Sequence, residues 1–63
     1  METRKILRLR QVIELTGYKR SSIYEMMKQA RFPRSRLIGA RAVGWDSVEV
    51  TEWINSKLDE VVI

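Results

Sequence analysis

Apolar positions recur at helical spacing in three stretches of this chain, and the breaks between them differ in kind. Leu9, Val12, Leu15 and Thr16 fall on one side of a 3.6-residue period, with Arg10 and Glu14 on the other. Gly17 follows, a residue suited to the left-handed position just past a helix end. A second stretch, over residues 20–30, gathers Ile23, Met26, Met27 and Ala30 on one side. Ser21, Tyr24, Glu25 and Lys28 face the opposite way, flanked by Arg20 and Arg31. Two starts are open to this helix. Ser22 and Glu25 have capping-box spacing, whereas a start near Lys19 draws more basic residues into the first turn. Phe32-Pro33 ends the helix, because a residue before proline is driven to extended geometry.

Residues 34–38 and 42–45 then read as a two-stranded hairpin with its tip near residues 39–41. Val43 and Trp45 share one face at a period of two. Asp46 and Glu49 have the spacing of a helix cap and its third position. The helix they open lines up Val50, Trp53, Ile54 and Leu58 on one stripe and keeps Glu49, Glu52, Asp59 and Glu60 off it. Trp45 and Trp53 are read as core residues, where they supply large buried area to a small domain. Residues 1–7 either fray or use Ile6 and Leu7 to cover the core edge; residues 60–63 read as a tail. The order helix, turn, helix, hairpin, helix predicts a mostly α fold with a short β-hairpin. That is a small winged helix-turn-helix, with residues 1–63 as one domain.

Composition narrows the chemistry. A chain of 63 residues has a thin core, with net stability of about 3–5 kcal/mol. Cysteine and histidine are both absent. Disulfides, thiolate chemistry, cysteine/histidine zinc sites and histidine acid–base catalysis are therefore excluded. The scattered carboxylates lie near no glycine-rich phosphate loop, so no enzyme and no cofactor are expected. No apolar run approaches the roughly 18 residues of a membrane span, and no signal peptide is visible, so a cytoplasmic protein is expected.

The charge is +4 overall, and its distribution matters more than its sum. Residues 1–45 carry eleven Lys/Arg against three acids, a balance of +8. Residues 46–63 carry one base against five acids, a balance of −4. A basic body with an acidic end can present only one face to a polyanion.

Several short motifs stand in one order at close spacing. They are Leu9-Arg10-Gln11-Val12, Thr16-Gly17, Arg20-Ser21-Ser22-Ile23-Tyr24, Phe32-Pro33, Arg41-Ala42-Val43-Gly44-Trp45 and Glu49-Val50-Thr51-Glu52-Trp53. Together they resemble the AlpA family of prophage regulators, relatives of the MerR-like and excisionase-like winged-helix DNA binders. The resemblance covers residues 7–58 and is carried most by residues 41–45. It implies a phage- or prophage-derived protein acting on transcription or excision, often by activating an integrase gene. Two positions depart from the family pattern. Lys19 stands where serine is usual, which would shift the cap of the second helix to Ser21 or Ser22. Ala30 stands where glycine is common, which would lengthen that helix by a fraction of a turn.

The expected partner is double-stranded DNA, with RNA polymerase or a phage integrase as candidate protein partners. A monomer, or a weak cooperative assembly on DNA, is expected. The second helix would enter the major groove, with the hairpin wing on adjacent backbone or minor groove. Arg20 and Lys28 can donate to phosphates or guanine acceptors, and Lys19 is a further candidate for DNA contact. Ser21 and Ser22 are short donors suited to a helix start lying on the backbone. Tyr24 can pack on sugar and reach a phosphate. Glu25 could accept from a cytosine amino group, pair with Lys28 or position Arg20. On the hairpin, Arg36 and Arg41 are the candidate contacts, and Arg34 is left between contact and solubilising edge charge. Two readings compete with a transcriptional activator. One is an excisionase-type architectural DNA binder; the other is a protein-interaction module using the acidic third helix.

Overall fold

A computed structural model describes residues 3–61. The element order is β1 (Ile6–Leu7), α1 (Leu9–Thr16), α2 (Arg20–Lys28), β2 (Arg36–Leu37), β3 (Val43–Asp46) and α3 (Ser47–Leu58). The three strands form an antiparallel sheet in the order β1-β3-β2, with Leu7 opposite Trp45 and Arg36 opposite Gly44. The expected hairpin is therefore two-thirds of a sheet. Its third strand comes from the segment for which fraying was one alternative. Two residues are too short to show an alternating pattern, so β1 becomes a strand only by docking on β3. Lys5 extends this join: its carbonyl accepts from the Ser47 N–H at 2.9 Å, and its own N–H donates to Ser47 Oγ at 2.8 Å.

Every element but β2 contributes to one small core. Leu7, Val12, Ile23, Phe32, Trp45 and Val50 are buried, with Leu9, Ile13, Met26, Met27, Val43, Trp53 and Ile54 packed against them. Leu15 and Leu58, expected inside, lie 53% and 76% exposed. At about 100° per residue, Ile13 rather than Leu15 falls beside Leu9 and Val12, so it takes the inward place on α1. Leu58 sits in the last turn of α3, beyond the buried cluster.

The turn between α1 and α2 is closed by local hydrogen bonds. Gly17 has φ 78° and donates its N–H to the Ile13 carbonyl at 2.8 Å. Thr16 Oγ1 donates back to the Val12 carbonyl at 2.8 Å and accepts from the Tyr18 N–H at 3.2 Å. The start of α2 is set by backbone alone. Lys19 is its N-cap in extended geometry, makes no side-chain cap, and accepts from the Ile23 N–H at 3.0 Å. The shift of the cap to Ser21 or Ser22 does not occur, nor does the capping box from Ser22 to Glu25.

The other end of α2 corrects the reading of Ala30. The helix stops at Lys28, and Ala30 takes φ 58°. The Ala30 N–H donates to the Met27 carbonyl at 3.0 Å and the Arg31 N–H to the Met26 carbonyl at 2.7 Å. Those are the paired bonds of a Schellman motif, which needs its left-handed residue whatever side chain occupies it. Alanine thus fills the glycine position without lengthening the helix.

Candidate nucleic-acid interface

The wing is placed against α2 by the two tryptophans. The Trp53 indole N–H donates to the Arg31 carbonyl at 2.8 Å, and the Trp45 indole N–H donates to the Pro33 carbonyl at 3.0 Å. Phe32, between these two carbonyls, is buried and meets Trp53 edge-on at 4.7 Å between ring centroids. Tyr18, from the turn, meets the same indole edge-on at 5.7 Å. The connector between α2 and β2 is thereby held at three consecutive residues. Trp45 is 1% exposed, whereas Trp53 is only half-buried, because it works as a clamp at the core edge.

With the core side of α2 taken by Ile23, Met26 and Met27, the residues predicted for DNA contact emerge together. Lys19, Arg20, Ser21, Tyr24 and Lys28 are exposed, and Ser22 is half-buried. The Arg20 guanidinium lies 5.9 Å from the centre of the Tyr24 ring, a cation–π distance that orients both side chains along the helix. Glu25 pairs with neither Lys28 nor Arg20; it accepts from Gln29 Nε2 at 3.3 Å, one turn on. Arg41 stands exposed in the hairpin tip, which the Ile38 N–H closes on the Ala42 carbonyl at 2.8 Å.

The ion pairs divide the cations into two groups. Among the described residues, the pairs are Arg4–Asp46 at 2.6 Å, Arg36–Glu49 at 2.7 Å and Lys57–Glu60 at 3.4 Å. All three acids belong to the acidic end of the chain. Arg36, predicted as a wing contact, is thus engaged by α3, and the Glu49 hydrogen bond raises its pKa further. The other nine Lys/Arg have no carboxylate partner among the described residues: Lys19, Arg20, Lys28, Arg34 and Arg41, and also Lys5, Arg8, Arg10 and Arg31. Asp46 has two duties: Oδ1 caps α3 by accepting from the Val48 N–H at 2.9 Å, and Oδ2 takes Arg4. The Arg4 hydrogen bond, then that from Val48, hold its carboxyl below the usual carboxylate range.

One grouping was not legible from the periodicity. Tyr24, Met27, Lys28, Arg34 and Ser35 line a single open cleft between α2 and the approach to the wing. Arg34 precedes the first strand of the hairpin, so period-two reasoning has no hold on where it points. The only sequence signal was the helix end at Phe32-Pro33. Among the described residues there is no group of acids that could hold a metal ion.

Two helices joined by a glycine turn, followed by a sheet wing and a closing helix, define a winged helix-turn-helix domain. Residues 5–58 match the family described as "Prophage CP4-57 regulatory protein (AlpA)". The chain belongs to the AlpA family. It is 37% identical over 59 residues to the "DNA-binding transcriptional activator AlpA" of Escherichia coli strain K12, covering 84% of each chain. It is 35% identical over 54 residues to the "Uncharacterized protein ORF88" of Enterobacteria phage P4, covering 86% of this chain and 61% of the phage protein. No solved structure gives a significant match.

Proposed function

We propose that this protein is a sequence-specific, DNA-binding transcriptional regulator of phage or prophage type, acting as an activator. In this reading α2 enters the major groove of duplex DNA, with Arg20 and Lys28 donating to guanine acceptors or phosphates. Lys19, Ser21, Ser22 and Tyr24 fix the helix on the flanking backbone, and Arg41 extends the wing to the neighbouring minor groove or phosphates. Arg36 can join them only by leaving Glu49. The observation that carries the reading is the sorting of charge. Every ion pair among the described residues draws on an acid of residues 46–60, and the cations of α2 and the hairpin tip are left unpaired.

Activation implies contact with RNA polymerase beside the promoter, and integrase would be the partner if the same binding served excision. The protein would work as a monomer, or in weak cooperative assembly on DNA, in the cytoplasm. No helix among the described residues is long and apolar enough to cross a membrane. The acidic third helix as a docking face for a basic partner is the weaker reading. Three of the five acids of residues 46–63 are already paired within the chain.

The test is a footprint on the promoters of the host or prophage genome with the Arg20→Ala variant alongside. A base-reading Arg20 gives a loss of about 1–3 kcal/mol confined to the specific site. An equal loss on every sequence would reduce Arg20 to a phosphate contact, and the absence of any protected site would overturn sequence-specific regulation.

A further inference from the structure

Arg34 lines two neighbouring grooves. On one side lie Tyr24, Met27, Lys28 and Ser35. On the other lie Arg31 and Arg36 together with Glu49, Glu52 and Trp53. One acid there, Glu49, holds Arg36 at 2.7 Å, and the other, Glu52, makes no ion pair with Arg34 or any other described residue. Arg34 is exposed and has no ion pair with any described residue. Its backbone, by contrast, is well placed, since the adjacent Pro33 carbonyl is fixed by the Trp45 indole. A cation with a held base, no acid of its own and a second cation across a cleft is arranged for an anion from outside.

We propose that Lys28 and Arg34, with the Ser35 and Tyr24 hydroxyls, clamp a backbone phosphate of duplex DNA where the strand passes from the C-terminal end of α2 to the wing. The inference rests on the reading of this protein as a DNA binder and assigns the strand-side cation to Arg34 in place of Arg36. The chemistry suits a phosphodiester: the guanidinium and ammonium supply charge, and the two hydroxyls donate to the remaining lone pairs without reading a base. The clamp is therefore indifferent to sequence. Its role is to set how far α2 advances along the groove, leaving base recognition to the first turns of the helix.

The experiment measures binding of the full chain to a mixed-sequence duplex about two helical turns long, by fluorescence anisotropy across a salt series. Each phosphate contact contributes a slope of about −0.9 in log K against log salt. Arg34→Ala should lower the slope, by at most about 0.9 because Lys28 stays on the same phosphate, so that the affinity ratio between 50 mM and 200 mM salt shrinks by up to about 3.5-fold. Arg34→Lys should restore most of the slope. Lys57→Ala, which removes the same formal charge from α3, should leave it in place. If Arg34→Ala behaves like Lys57→Ala while the wild-type protein binds normally, the clamp is overturned and the DNA-binding reading survives. If the wild-type protein fails to bind duplex at low salt, both fall.

Discussion

Trp53 donates its indole N–H to the carbonyl of Arg31 at 2.8 Å, joining the third helix to the residue that follows the left-handed turn of Ala30. That one bond ties the exit of the proposed recognition helix to the acidic helix behind it. The wing starts from the connector so held, and its reach beside α2 is set there. Trp53→Phe keeps an aromatic ring against Phe32 and Tyr18 but orphans the Arg31 carbonyl. It should cost about 1 kcal/mol by urea unfolding. Trp53→Ala should cost less than the roughly 3–5 kcal/mol of a fully buried tryptophan, because part of its surface stays exposed.

Ala30 sits at φ 58° with a Cβ that the left-handed region disfavours. Ala30→Gly should relieve that cost, offset in part by the greater freedom of glycine in the unfolded chain. A net gain of about 0.5–1 kcal/mol in thermal or denaturant unfolding is expected. A loss of stability would mean that the Ala30 methyl makes a contact of value in the turn.

Gly44 is required for a different reason. A Cβ there would lie 2.5 Å from Ile6 Cγ2 and 3.2 Å from both Ile38 Cδ1 and the Leu7 carbonyl. The two outer strands close over β3 at this point, so Gly44→Ala must push β1 or β2 away. A destabilisation of about 1–3 kcal/mol should follow, with loss of protection at the strand amides in hydrogen exchange.

Asp46 links stability to pH. Its carboxyl is held low, first by Arg4 and then by the Val48 N–H. A carboxyl depressed in the folded state contributes its full stability above the unfolded value, roughly pH 4, and loses it as pH falls through the folded value. Midpoints of unfolding should therefore drop on acidification below about pH 4. In Asp46→Asn, which keeps an acceptor for Val48 but loses the charge, that acid dependence should be weaker.

The helices were legible in the sequence because each carries its own signal. Gly17 ended α1, Asp46 opened α3 with its side chain on the Val48 N–H, and the inward face of α2 held Ile23, Met26 and Met27 as the spacing required. The winged order of elements could be read for the same reason. What escaped was tertiary in origin. Ile6 and Leu7 have no strand pattern of their own and depend on β3 for one. Ile13 and Leu15 flank the inward stripe of Leu9 and Val12 on opposite sides of an eight-residue helix, and a modest rotation about its axis decides which of them packs. At the interface, the exposed residues of α2 followed from periodicity, whereas the fates of Arg36 and Arg34 did not. Both are arginines two positions apart in a polar stretch. Only the packing of α3 beneath the hairpin gives one of them Glu49 and leaves the other beside Lys28.

The central claim is that the unpaired cationic side, built on α2 and the hairpin tip, meets duplex DNA. The most direct measurement is a titration of the isotope-labelled protein with duplex, followed by amide chemical shifts at low salt. Shifts should concentrate at residues 19–28 and 39–41 while α3 stays near its free positions. Shifts confined to residues 46–60, or a spectrum unchanged by DNA, would contradict it.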